Sequence, residues 1–234
     1  MREKTYFEVT VEKALRHTEK LRKELICLQD DCANKRGKMA LERALTVSRF
    51  SERIALIARS LPVYTGHPDA GKLVREGLME EIPVELGFTR EGWFCLRMPM
   101  LLPRKEKTSR NYIRGYLYPA LERFVREKGW IRYPDCVLIF RHIYDRKRPE
   151  RYYRDHDNIE LNTVVDAVSM FLLVDDTPMR CRHYYCSAAA TNEHTEVYIV
   201  PKDDFPQWLA MEKDIPDAGV FLYGEMPKTR KKDA

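Results

Sequence analysis

The sequence predicts an α/β (α+β) protein, a small mixed sheet with packed helices preceded by an N-terminal α-helical hairpin. Three observations predict it. Residues 8–62 carry apolar side chains at helical spacing in two successive runs. Residues 92–202 alternate β-branched and aromatic stretches with helical ones. Between the two lies a segment rich in proline and glycine. The expected organisation is a hairpin over 1–62, a connector over 63–91, a core domain over 92–202 and a C-terminal extension over 203–234.

In the first helix, Val11, Leu15, Thr18, Leu21, Leu25 and Leu28 step by threes and fours. The polar stretch Gln29 to Gly37 reads as the turn. Ala40, Ala44, Val47, Phe50, Ile54, Ile57 and Leu61 repeat the stepping until Pro62 stops it. Two such stripes joined by a short polar turn predict an αα-hairpin, suited to oligomerisation or to docking a protein partner. The connector is expected to hold one short helix around Lys72 to Glu80. In the core domain, Trp93–Leu101 reads as a strand, Asn111–Lys128 as a helix ending at Gly129, and Cys136–Tyr144 as a second strand. A helix opens near Asn158, and Met179–Cys186 and Glu196–Val200 complete the strands. The charge run Lys228, Arg230, Lys231 and Lys232 is expected to be a frayed basic tail.

Composition narrows the function classes. With 44% hydrophobic and 33% charged residues, the 234-residue chain suits a folded protein with a solvated surface. No apolar run approaches the roughly 18–20 residues that cross a bilayer, and the N-terminus lacks the apolar core of a signal peptide, so a cytoplasmic location without membrane association is expected. The six cysteines include no CxxC pair; Cys27/Cys32 and Cys181/Cys186 are each separated by four residues, which disfavours a zinc ribbon and predicts reduced, structural thiols. No glycine-rich phosphate loop, nucleophile elbow or HExxH motif occurs, which disfavours NTPases, α/β-hydrolases and zincins.

The net charge of +5 is unevenly spread: from Pro103 to Arg154 there are 15 Lys and Arg against 6 Asp and Glu. The same stretch holds ten aromatic residues, among them Tyr112, Tyr116, Trp130 and Tyr153. Cations neutralise phosphates and aromatic faces stack on exposed bases, so the pattern suits nucleic acid as well as a solvated surface over an aromatic core.

Arg154-Asp155-His156-Asp157-Asn158 is the densest chemical feature. In extended chain Asp155 and Asp157 share a side, with His156 opposite them as an ordinary exposed histidine. Carboxylates this close repel one another, and a Mg²⁺ or Mn²⁺ ion offsets the repulsion. Asp175 and Asp176 are candidates for the remaining oxygens. A helix running from Asn158 to Leu172 would be about 22 Å long and would separate Asp176 from Asp157. A shared ion therefore predicts that the helix stops near Ala167 or Val168 and that Ser169 to Val174 returns extended. The His183–Cys186 run, HYYC, is expected to pack in a strand.

Over roughly Gly92 to Val200 the order of these motifs resembles the RusA-like Holliday-junction resolvase family: strand, basic tyrosine-containing helix, strand, R-D-x-D-N, helix, then D-D before a strand. The resemblance implies metal ligands at Asp155, Asp157 and Asp176 with Asp175 in support, Arg154 beside them in catalysis, and a small homodimer. It implies a Mg²⁺-dependent endonuclease that hydrolyses phosphodiester bonds in branched DNA. Arg146, Lys147, Arg148 and Arg151, with Arg110 and Arg114 on the basic helix, are the expected nucleic-acid contacts. One departure stands out: where the family has a lysine three positions after the asparagine, this chain has Leu161. The alternatives are a catalytically degenerate DNA-binding or scaffold protein on the same fold, and a partner-binding protein acting through its hairpin.

Overall fold

The computed structural model describes residues 5–105, 109–149 and 153–227. Along these the order is α1 (Tyr6–Ala33), α2 (Gly37–Ser60), α3 (Ala70–Glu81), β1 (Glu85–Phe88), β2 (Phe94–Met98), α4 (Ser109–Lys128), β3 (Cys136–Asp145), α5 (Asn162–Leu172), β4 (Cys181–Ala190), β5 (His194–Pro201) and α6 (Phe205–Met211). The chain divides into two units, Met1–Gly77 and Leu78–Ala234. The expected α+β class with an N-terminal helical region is what the structure has. No helix among the described residues is long and apolar enough to cross a membrane.

In the first unit, α1 starts at Thr5, whose hydroxyl accepts from the Glu8 N–H while its own N–H donates to the Glu8 carboxylate, a capping box. The turn is tighter than the sequence suggested. Asn34 caps α1 and Lys35 takes the left-handed conformation, φ 55°. Asp31 is 1% exposed and accepts from Arg43 Nε at 2.6 Å and Arg36 Nη1 at 3.2 Å, tying α2 back to α1. Two helices bury only a narrow seam. Leu15 and Leu25, expected on the inner stripe, are therefore 64% and 46% exposed, while Leu21 and Leu28 are half-buried.

The second unit is built on a five-stranded sheet in the order β1-β2-β5-β3-β4, with β3 and β4 parallel and the other pairs antiparallel. Strand alternation divides its side chains between two cores. One face carries Phe94, Leu96, Leu138, Phe140, Val197 and Ile199 beneath α4 and α5, which contribute Ile113, Leu117, Leu121, Val164, Val168 and Leu172. The other carries Cys95, Val137, Ile139, Tyr198 and Val200 against Trp208 of α6. Also on that second face, Glu196 is fully buried between Arg97 (3.1 Å) and Arg141 (2.9 Å). The C-terminal segment straps over it: Arg97 Nη2 donates to the Val220 carbonyl at 2.7 Å, and Tyr223 pairs with Phe88.

The structure adds elements to two of the expected regions and corrects a third expectation. The region over 63–91 holds not only α3 but also β1, whose four residues are too few to show periodicity. The extension over 203–234 includes α6, a seven-residue helix anchored by the buried Trp208. The helix after Asn158 neither starts nor stops where the sequence suggested. Ile159 and Glu160 are extended, pairing with Arg104 and Pro103, and Glu160 Oε1 accepts from the Thr163 N–H and hydroxyl at the start of α5. The helix then runs on through Leu172, because Phe171 and Leu172 remain in the core, so Ser169 to Leu172 do not return as extended chain.

Candidate functional site

The crossover from β3 to β4 determines the site. Residues 153–158 follow the C-terminal end of β3, and α5 leads back to the N-terminal end of the parallel β4. Tyr144, at the end of β3, holds the first part in place: its hydroxyl accepts from the Arg154 N–H at 3.1 Å, and its ring stacks on Tyr153 with centroids 4.3 Å apart. Residues His156–Asn158 form one 3-10 turn, closed by the Asn158 N–H donating to the Asp155 carbonyl. The Lys105 N–H donates to the Asn158 carbonyl and brings Arg104 and Lys105 alongside.

His156 is half-buried, not the exposed histidine expected. Its ring stacks on Tyr185 of β4 (centroids 5.4 Å, planes 25° apart) and lies 5.4 Å from the His142 ring. Tyr185 stacks in turn on Phe140 at 5.6 Å, and the Tyr185 hydroxyl lies 3.2 Å from His183 Nδ1. Since β4 is the edge strand, Tyr185 and His183 stay exposed although they share a face with the core residues of β3. The result is an open strip of rings, His156, Tyr185 and His183. Beneath it His142 is fully buried; burial, then the nearby His156 and Arg154, push its imidazole down to about 4, so it is neutral at neutral pH.

Asp155 and Asp157 flank the inward-turned His156 and are exposed. Asp175 is engaged locally, accepting from the Thr177 N–H (3.3 Å) and hydroxyl (3.1 Å) to close the turn before β4. Asp176 is exposed and acts electrostatically on Cys181, the first residue of β4. Tyr185 lies four residues further along that strand, roughly 13 Å at about 3.3 Å per residue. The two aspartates of the first motif thus lie at the Tyr185 end of the strip and Asp176 at the Cys181 end. Among the described residues no three His, Cys, Asp or Glu are placed to hold a metal ion. The side chains as they stand do not fit a shared Mg²⁺ or Mn²⁺, whose ligand distances near 2.1 Å demand closer convergence.

The expected cationic contacts divide. The Arg154 guanidinium turns inward to the Leu102 carbonyl, and burial, followed by Arg148, lowers its basicity. Arg146 pairs with Asp217, and Arg148 with Glu193 at 2.5 Å. Lys147, Arg110 and Arg114 are exposed, the last over the Tyr118 ring at 5.5 Å. Arg151 lies outside the described residues, as does the basic run after Pro227. Leu161 is buried in the larger core, just ahead of α5. The ring strip was missed from sequence; the alternation in His183–Tyr184–Tyr185–Cys186, which puts His183 and Tyr185 on one face, is the signal that could have found it.

Fold and site together define an α+β domain with an open, ring-lined sheet edge. The chain belongs to a family described as of unknown function (DUF6100), whose profile matches residues 2–221. No curated protein and no solved structure matches it.

Proposed function

We propose that the Leu78–Ala234 unit binds branched or otherwise structured DNA along the open edge of its sheet, as a RusA-like domain that holds its substrate without metal-dependent hydrolysis. The observation that carries this reading is the exposed pair Tyr185 and His183, with the half-buried His156 stacked on Tyr185 and the cations Arg104 and Lys105 paired to the adjoining segment. Unpaired bases at a junction or flap offer faces for such rings, and phosphates offer charge for the cations. The buried Leu161 and the separation of Asp176 from the other aspartates favour binding over turnover. An endonuclease is the second reading. It is favoured by the sequence of elements, in which β2, the basic α4, β3, the R-D-H-D-N turn, α5, the paired aspartates and β4 follow in the order the resemblance implies.

Fluorescence anisotropy on four-way, flapped, single-stranded and duplex DNA, with a salt titration, tests both. We expect salt-sensitive binding that favours structured DNA and that Tyr185→Ala weakens by about 1–3 kcal/mol, the range for one base–aromatic stack. Cutting that requires Mg²⁺ or Mn²⁺ and is lost in Asp157→Asn would establish the second reading. Absence of binding to every substrate would sink both.

A further inference from the structure

Cys136 and Cys181 are register partners on the parallel strands β3 and β4, and both side chains lie in the core beneath α4 and α5. No other two cysteines are register partners among the described strands. Register partners on neighbouring strands have Cα atoms about 4.8 Å apart, within the roughly 4.4–6.8 Å that a disulfide spans. Both thiols are free. The His183 ring lies two residues along β4 on the same face, and its Nδ1 is 3.2 Å from the Tyr185 hydroxyl. A register pair of thiols with an imidazole next along the same face of one strand is more than two buried cysteines need for packing.

We propose that Cys136 and Cys181 form a redox-active dithiol, in which Cys181, beside His183, reacts first with a hydroperoxide and Cys136 resolves the product as an interstrand disulfide. In the first step the Cys181 thiolate attacks one peroxide oxygen. The S–O bond forms as the O–O bond breaks, and the departing hydroxide takes up a proton as water, leaving a sulfenic acid. In the second step the Cys136 sulfur gives up its proton and attacks the Cys181 sulfur; the S–S bond forms, the S–O bond breaks, and the oxygen leaves as a second water. Two thiols and one hydrogen peroxide thus give one disulfide and two waters, and an external dithiol reverses the change.

The electrostatics divide the two roles the same way. The neighbouring Cys136 thiol, with help from His183, lowers the Cys181 thiol against the opposing effects of burial and Asp176, which favours its thiolate. The neighbouring Cys181 and burial push the Cys136 thiol up, with Asp135 adding to the rise and Arg182 opposing it. His183, the next residue on that face of β4, is exposed, while Cys181 keeps 5% of its surface accessible.

The test treats the reduced full-length chain with a slight excess of hydrogen peroxide, blocks residual thiols with N-ethylmaleimide and maps the peptides by mass. The expected result is a linked pair of peptides containing Cys136 and Cys181 that separates with dithiothreitol. Cys136→Ser should leave a Cys181 sulfenic acid captured by dimedone. His183→Phe should slow Cys181 oxidation by about tenfold while the exposed Cys32 reacts at its former rate. Oxidation confined to the other cysteines, or reaction of Cys136 and Cys181 only once the chain is unfolded in urea, would overturn the proposal. The wild-type peptide map decides between these outcomes even if a cysteine variant fails to fold, and thiol oxidation reads out independently of DNA binding.

Discussion

His142 shows how one side chain ties the site to stability. It is fully buried on β3, and among the described residues neither ring nitrogen has a hydrogen-bond partner. Its imidazole titrates near 4 in the fold, against 6.5 when solvated. A lowered histidine value means that the unfolded chain takes up the proton first. The stabilisation is therefore complete above about pH 6.5 and is lost as the pH falls from 6.5 through 4, a change of about 3 kcal/mol from this one group. Urea denaturation at pH 7.5, 6 and 5 should show a decline that His142→Phe flattens. An unchanged pH slope in the variant would place the proton elsewhere. Leu161 makes the complementary point: a lysine there would carry its charge into the core, so Leu161→Lys is expected to destabilise the domain.

At the scale of elements, the C-terminal strap depends on one glycine. Gly219 has φ 80°, a conformation that side chains with a Cβ rarely adopt, and a Cβ there would collide with Glu196 Oε1 and Arg97 Nη2. Both groups are held in an ion pair at 3.1 Å. Burial pushes the Glu196 carboxyl up, but His194 at 3.6 Å and the Arg141 and Arg97 guanidiniums override it and hold it at about 2. Gly219→Ala is therefore expected to cost about 2 kcal/mol or more and to expose Tyr223 and Phe88 amides to faster hydrogen exchange. Exchange protection at Phe88 equal to wild type would show that the strap is held without the ionic contact. The hairpin is governed by the same kind of contact. Asp31→Ala, which leaves Arg43 without its 2.6 Å partner, should lower the hairpin's thermal midpoint.

For the molecule as a whole, both hydrophobic cores lie within Leu78–Ala234, and none of their residues comes from the hairpin. A chain beginning at Leu78 is thus expected to fold alone with a single cooperative unfolding transition, checked by calorimetry and dispersion of its amide spectrum. A non-cooperative melt would mean that the second unit needs the first. The hairpin has the opposite character: Asp31 is the one buried residue among the described positions of α1, and α2 has none. Leu41 and Leu45, 46% and 44% exposed, leave apolar surface on α2.

Much of this architecture was legible from local pattern. The two hairpin helices follow from periodicity, because each carries its own stripe over more than twenty residues, while α4 was marked by its end at Gly129 and β3 by its β-branched and aromatic content. The R-D-H-D-N and D-D motifs were visible as clusters of charge for the same reason. What residue order alone could not decide was which of these meet. Glu160 pairing with Pro103 moved the start of α5, and the core demand for Phe171 and Leu172 moved its end, so Asp176 arrives beside Cys181. Likewise, His183, Tyr185 and His156 became one surface only when β4 took the sheet edge. Periodicity is a property of neighbours along the chain, whereas a site is made by residues that the packing of distant segments brings together.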